Sequence, residues 1–357
     1  MRFPSQDRRM NGLPWCLLLA LMARGPVFPA RGADSSGVEE PVVIRPTPFL
    51  TDPGTGGVAI CYGPFRDGQR PGGDALPSSS QIEEDLKLLS QHWKWLRLYS
   101  SVPPAETVLR VIRERNLDLK VVLGVWIAME QRFNDRGEAV VDFPEARKAN
   151  HAEVAASIDL AGRYPEVVRA VSVGNETQVF WSDHRIPLDL LIGYVRQIRS
   201  GTRVAVTVAD DFNFWNKPES ARLARELDFL VTHIHPVWAG LPLDGALPWS
   251  GKILGEVRAM HPSRNVVLGE IGWATSMHSE GEQARLIKGK MGDQEQAVFY
   301  RDFRTWVNRE RVNAFYFEAF DEKWKGGDYP DEAEKHWGLF RSDRTPKPAL
   351  GISGARP

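Results

Sequence analysis

The stretch Asn265-Val-Val-Leu-Gly-Glu-Ile-Gly-Trp-Ala-Thr275 is an apolar run that ends on one carboxylate, Glu270, inside a glycine-containing turn. A short apolar run bounded by turn residues reads as a strand buried on both faces, which is the condition of a parallel sheet. A charged residue at the carboxyl end of such a strand reaches the rim that carries sites in α/β folds. A strand-end glutamate can equally cap a helix, so a single instance decides little. The pattern recurs at Val168 to Val173, which runs on through Gly174 and Asn175 to Glu176.

Working outward, short β-branched runs alternate with amphipathic helical patterns from Gly57 onward, the signature of a parallel sheet with crossover helices. The runs are Val58 to Tyr62, Trp95 to Tyr99, Leu119 to Trp126, Val168 to Val173, Arg203 to Val208, Phe229 to His235, Asn265 to Glu270 and Val312 to Phe317. Helical patterns cover Ile82 to His92, Ala105 to Asn116, Ala146 to Ala161, Leu188 to Ser200, Lys252 to Met260 and Gln294 to Arg309. This count predicts an α/β fold of the (β/α)8 TIM barrel type over residues 57–357, with a short or missing eighth helix near Pro348. A doubly wound sheet is the second choice. The Tyr62-Gly63-Pro64-Phe65 turn after the first run lacks the glycine-rich phosphate pattern that such a sheet usually carries there.

Lys and Arg total 45 against 46 Asp and Glu, spread along the chain, so nucleic acid and anionic membrane surfaces are poor partners and a neutral polar substrate fits better. The 12 Trp supply more aromatic surface than usual, to be divided between core packing and the binding of sugar rings. Residues 1–33 have the layout of a signal peptide: Arg8 and Arg9 precede the apolar run Leu13 to Ala23, which falls short of the ~20 residues a membrane span needs. Export is therefore expected, without stable insertion of the mature chain, and residues 34–56 read as an extended segment. Cys16 lies in that leader and leaves Cys61 alone, so the mature chain has no internal disulfide. The oligomeric state is not readable.

In an eight-stranded barrel the fourth and seventh strands face each other across the lumen, so Glu176 and Glu270 both stand on the catalytic rim. Two opposed carboxylates are what glycosidic cleavage requires, one to protonate the leaving oxygen and one to capture the oxocarbenium-like centre. Arg97 and Tyr99 share one face of the second strand, with Arg97 inside the barrel and Tyr99 at its rim, and are candidates for keeping Glu270 ionised. A structural ion pair is the other reading of Arg97. Asn175 is placed to bond a sugar 2-hydroxyl or to stabilise its own turn. Trp126, Trp273, Trp324 and Trp337 lie at strand ends or rim loops as candidate stacking surfaces, about half of them expected in the core. His233 and His235 are read as facing opposite sides of the sixth strand, which argues against a metal site. No cofactor is implied.

Three motifs together, Val173-Gly174-Asn175-Glu176, Gly269-Glu270-Ile271-Gly272-Trp273 and Phe320-Asp321-Glu322-Lys323-Trp324-Lys325, resemble glycoside hydrolase family 17, whose known members act on β-1,3-glucans. The resemblance runs from Val58 to Pro348 and takes in Arg97-Leu98-Tyr99, His233-Ile234-His235-Pro236 and Glu334-Lys335-His336-Trp337-Gly338-Leu339-Phe340. It implies Glu176 as acid/base and Glu270 as nucleophile of a retaining double displacement on β-1,3-glucan, with no metal. It also implies Glu322 and Lys325 in the active-site network and Glu334 nearby. A glucanosyltransferase using the same glycosyl-enzyme intermediate, or a barrel glycosidase for another β-glucan linkage, is the alternative. The chain departs from plant members at His235-Pro236, where they have Tyr-Pro, and at Asp321-Glu322-Lys323, where they have Asn-Glu-Asn. In this it looks closer to microbial members. His235 is a candidate partner of a sugar hydroxyl or of Glu270.

Overall fold

The structure is a computed structural model and describes residues 42–46, 58–133 and 139–351. The leader expected over residues 1–33 lies outside them, as does most of the segment 34–56.

Eight parallel strands close into a barrel: β1 (Val58–Cys61), β2 (Trp95–Arg97), β3 (Lys120–Val125), β6 (Val168–Asn175), β7 (Ala205–Asp211), β8 (Leu230–His233), β9 (Val266–Ile271) and β10 (Ala314–Tyr316). Neighbours in the barrel follow the chain order, and closure is made by β10 against β1, with Val58 opposite Ala314 and Ile60 opposite Tyr316. Each strand coincides with one of the expected apolar runs. Every residue of β9 is buried, as a strand covered by side chains on one face and helices on the other must be.

The helices pack outside. They include α1 (Ser79–Leu89), α2 (Ala105–Glu114), α3 (Pro144–Arg163) and α4 (Leu188–Gly201). Ser78 caps α1 in a reciprocal capping box with Gln81, and Pro144 opens α3 at a position where its missing N–H costs nothing. On α2 the buried residues Ala105, Val108, Leu109, Val111 and Ile112 form one stripe against the sheet, each larger side chain contributing about 1.5–3 kcal/mol of burial. Short α5 (Phe212–Trp215) and α6 (Ser220–Ala224) stand between β7 and β8; Pro218 marks the start of α6 in the sequence, while nothing there marks α5. Tertiary packing makes α5: Trp215 is fully buried and its Nε1 donates to the Val231 carbonyl at 2.9 Å. Helix α7 (Leu243–Met260) begins well before the expected Lys252 and carries Pro248 inside it. After α8 (Gly281–Leu286) and α9 (Asp293–Glu310), the eighth helix is α10 (Pro348–Gly351), as short as expected.

Two features shape the rim. The segment from Glu130 to Phe143 carries two antiparallel strands, β4 (Gln131–Phe133) and β5 (Ala139–Asp142). Its base is tied down by buried Glu130, which accepts from Asn150 Nδ2 at 2.8 Å, from Arg147 Nε at 3.2 Å and from the Tyr194 hydroxyl. The C-terminal segment is fastened by Arg344, whose Nε and Nη2 make paired 2.8 Å bonds to buried Asp85 on α1.

Candidate active site

The carboxyl ends of β2, β6, β8 and β9 converge on one point. Arg97, the last residue of β2, is buried inside the barrel, and its Nη1 donates to Glu270 Oε1 at 2.6 Å while Nη2 donates to Asn175 Oδ1 at 2.5 Å. Two residues on, the Tyr99 hydroxyl donates to the same Glu270 oxygen at 2.8 Å. The two-residue period of a strand puts both side chains on one face, which is why the sequence could foresee the pair. Asn175 ends β6, and Glu176 after it has φ +52°, a left-handed conformation that a non-glycine residue holds only where its surroundings impose it. The turn is held from β7: Asp210 accepts from the backbone N–H groups of Gln178 at 2.8 Å and Val179 at 3.1 Å.

His233 and His235 do not face opposite sides. His233 Nδ1 lies 2.8 Å from Glu176 Oε1 and its Nε2 lies 3.5 Å from Glu270 Oε1, while His235 Nε2 lies 3.1 Å from Glu270 Oε2. Residues two apart on a strand share a face, so the spacing in the sequence already placed them together. The expected obstacle to a metal therefore does not exist, and one donor atom each from Glu176, His233 and Glu270 lies within 4.8 Å of the others. The Arg97 guanidinium at 2.6 Å already supplies the cation on Glu270, and it would repel a second.

The environments push the two carboxyls apart. Burial, helped by the negative charge of Glu270, lifts Glu176 to about 7, so it exchanges a proton near neutrality. Burial also opposes ionisation of Glu270, but the Arg97 guanidinium and the hydrogen bond with His235 outweigh it and hold the carboxyl well below the usual range. His233 is itself held neutral, its imidazole pushed down to about 3 by burial, which leaves as positive partners Arg97 and His235, whose imidazole Glu270 raises against the opposing effect of burial.

A second cluster follows β10. Lys325 Nζ lies 2.6 Å from Glu318 Oε2 and 2.9 Å from Glu322 Oε2, and both carboxylates are buried. Burial raises the Glu318 carboxyl well above its ordinary value, and Glu322 adds to the rise. Glu322 also fills the space a side chain at Gly63 would need: a Cβ there would stand 2.2 Å from Glu322 Oε1. Glu334 is half-buried, and the charges of Lys325, His235, Glu270 and Glu176 all act on it.

The tryptophans divide as a group. Trp273 was expected on the rim and is instead core: it is 0% exposed, its Nε1 donates to the Lys290 carbonyl at 3.1 Å and its ring packs on Phe299. The turn after Glu270 folds the side chain back between the barrel and α9, so it offers no face to a ligand. Trp337 is also fully buried, edge-on to His235 with ring centres 5.4 Å apart. Trp324 is 39% exposed, and half-buried Trp126 stacks on His184 with centres 4.9 Å apart. The sequence reading passed over His184, whose Nε2 donates to the Asn175 carbonyl at 2.8 Å; only the loop after Glu176 brings it there.

A (β/α)8 barrel with two close carboxylates of opposed acidity at the ends of its fourth and seventh strands defines a glycoside hydrolase. Residues 59–338 match the model of the BtgE/BtgC glycoside hydrolase domain, and the chain belongs to that family. A glucan 1,3-beta-glucosidase of Arthroderma benhamiae is 25% identical over 78% of this chain and 86% of its own. A putative glucan endo-1,3-beta-glucosidase btgC of Aspergillus niger is 27% identical over 77% of this chain, which spans only 40% of that protein. Among solved structures, an endo-laminarinase from Formosa superposes with TM-score 0.67 at 25% identity, over 81% of this chain and 85% of that one. A glycoside hydrolase family 17 beta-1,3-glucanosyltransferase from Rhizomucor miehei shares the fold, with TM-score 0.63 at 21% identity over 82% and 95% of the two chains.

Proposed function

We propose that this chain cleaves β-1,3-glucosidic bonds of glucans by a retaining double displacement, with Glu270 as nucleophile and Glu176 as acid/base. The observation that carries the reading is the pair itself: oxygens of the two carboxylates lie within 4.8 Å, one carboxyl lifted to about 7 and the other held low. Inverting enzymes separate their carboxyls by roughly 6.5–9.5 Å to admit a water, and retaining ones by roughly 5–5.5 Å. The β-1,3 linkage is taken from the relatives' names, since loops rather than strands set specificity.

In the first step a Glu270 oxygen attacks the anomeric carbon, the glycosidic bond breaks, and the Glu176 proton passes to the departing oxygen. The glycosyl ester leaves Glu270 uncharged. Because that charge is part of what raises Glu176, its loss lowers the Glu176 carboxyl at the step where it must act as a base. Water then gives a proton to Glu176 and its oxygen to the anomeric carbon, which restores both carboxyls. Arg97 and Tyr99 hold Glu270 ionised, and Arg97, by occupying Asn175 Oδ1, turns the amide nitrogen toward the sugar 2-hydroxyl. Trp324 and Trp126 are the stacking surfaces, and Glu322, Lys325, Glu334 and His235 bind or orient hydroxyls. The leader pattern supports export. No helix among the described residues is long and apolar enough to cross a membrane.

Laminari-oligosaccharides followed from the first turnovers test the reading. Shorter products with retained anomeric configuration support hydrolysis. Early products longer than the substrate would assign the glucanosyl transfer reaction instead, and turnover only of β-1,4- or β-1,6-glucans would overturn the linkage.

A further inference from the structure

His233 has no role in the reading above, yet it is the side chain that touches the proposed acid/base. It is fully buried at the end of β8 and stands between the two carboxylates. Its Nδ1 makes a 2.8 Å hydrogen bond to Glu176 Oε1, and its Nε2 has no hydrogen-bond partner. Gly269 makes room for the ring: a Cβ at that position would come within 3.0 Å of His233 Cδ2 and 2.2 Å of a Val231 methyl.

We propose that His233 is the positioning residue of Glu176: its Nδ1–H donates to Oε1, so the exchangeable proton of the acid is confined to Oε2, the oxygen left for the substrate. A neutral imidazole carries one N–H, and the hydrogen bond decides which nitrogen holds it. Were the proton on Nε2, a buried N–H would stand 3.5 Å from its nearest carboxylate oxygen, beyond hydrogen-bond reach, and Glu176 would have to aim its proton at Nδ1, away from the glycosidic oxygen. With the proton on Nδ1 only a lone pair goes unmatched, which costs less than an orphaned donor. The Glu176 side chain keeps 13% of its surface open while Oε1 is engaged with His233. The same N–H bonds the ionised form of Glu176 after proton donation, so it favours the basic state needed for the second step.

Other charged groups face Glu176 from the surrounding elements and set its baseline: Glu270 on β9, Arg97 on β2, His235 after β8, His184 in its own loop, and Asp210 and Asp211 on β7. His233 hydrogen-bonds its carboxylate directly, through Oε1. The inference rests on Glu176 being the acid/base, and the two readings fail differently. If Glu176→Ala keeps wild-type turnover, the catalytic assignment is wrong; if that variant is inactive but the His233 variants behave otherwise than stated below, only the present inference is wrong.

The test is the pH profile of kcat/KM for laminaritriose in His233→Leu and His233→Asn. Loss of a hydrogen bond to a charged group predicts that His233→Leu lowers kcat roughly 10- to 100-fold and moves the basic limb up by about one pH unit. His233→Asn, whose amide can donate from near the Nδ1 position, returns the limb toward the wild-type value. A limb that stays put or moves down in His233→Leu, or an equal loss in both variants with no shift, overturns the proposal. Should the leucine variant fail to fold, 15N-histidine spectra of the wild-type protein decide, with the His233 resonances identified by their loss in His233→Asn. An Nδ1–H tautomer supports the proposal and an Nε2–H tautomer overturns it.

Discussion

Arg97 and Glu270 form a buried ion pair of 2.6 Å, with 2% and 7% of their side-chain surfaces exposed, in which one guanidinium also holds Asn175. Removing one partner of such a pair leaves a buried charge uncompensated, at a cost of about 3–5 kcal/mol. Arg97→Met is therefore expected to lower Tm by several degrees, to raise the Glu270 carboxyl and to abolish most turnover. The sign follows from the depressed carboxyl: Glu270 contributes stability above the ordinary carboxylate range and loses it only as the pH falls through its lowered value. In Arg97→Met the folded-state carboxyl moves back toward its ordinary value, so this acid-side loss should become smaller and be complete at higher pH, which urea unfolding between pH 3 and 7 would detect; an unchanged acid limb of stability would sink the argument.

The Glu176 carboxyl behaves in the opposite sense. Lifted to about 7, it contributes stability that is complete below the ordinary glutamate value and disappears as the pH rises through 7, when a buried charge must form. Glu176→Gln should consequently unfold at higher temperature than the wild type at pH 8 and at the same temperature near pH 4. In the wild type, kcat/KM should fall above about pH 7 as the acid loses its proton. Melting curves at the two pH values and a rate profile check both statements.

Replacement of the two carboxyls separates their roles. Glu270→Ala is expected to reduce turnover by four or more orders of magnitude with the fold intact. Glu176→Ala should lose roughly 10²–10⁴-fold on glucans, much less on substrates with good leaving groups, and regain turnover with azide. A glycosyl azide of retained configuration, seen by NMR, is the product that identifies the pair.

Gly63 is required by space. A methyl group there would stand 2.2 Å from Glu322 Oε1 and drive that carboxylate off Lys325. Gly63→Ala should cost about 1–3 kcal/mol, the usual penalty of overpacking, and raise KM more than it lowers Tm would suggest. Wild-type KM in this variant would remove Glu322 from the substrate site.

The two kinds of tryptophan should respond differently. Trp273→Ala empties a fully buried site and is expected to cost about 3–5 kcal/mol. Trp324→Ala, at a partly exposed ring, should leave Tm almost unchanged and raise KM for longer oligosaccharides severalfold. Calorimetry together with KM for tri- and hexasaccharides distinguishes them.

The barrel and its two carboxylates were legible because their signals are local. An apolar run closed by a turn marks a buried strand whatever surrounds it, and Val168 to Glu176 and Asn265 to Glu270 each carry their own glutamate at the end. The i, i+2 spacing of Arg97 and Tyr99 likewise belongs to the strand alone. The pairing of β4 with β5, helix α5 and the early start of α7 were not legible, since packing against distant elements overrides weak local patterns there. The 2.8 Å bond of His233 to Glu176 needs β8 and β6 brought together by the closing sheet, although the shared face of His233 and His235 was open to view in their spacing.

The opening stretch shows the same division. That Glu270 stands at a strand's end follows from Val266 to Gly269 before it, because backbone periodicity needs no partner. That Glu270 is ionised while Glu176 holds a proton, and that Trp273 is core, depends on which charges and side chains the closed barrel sets beside them, because burial and Coulomb interaction are properties of neighbours in space.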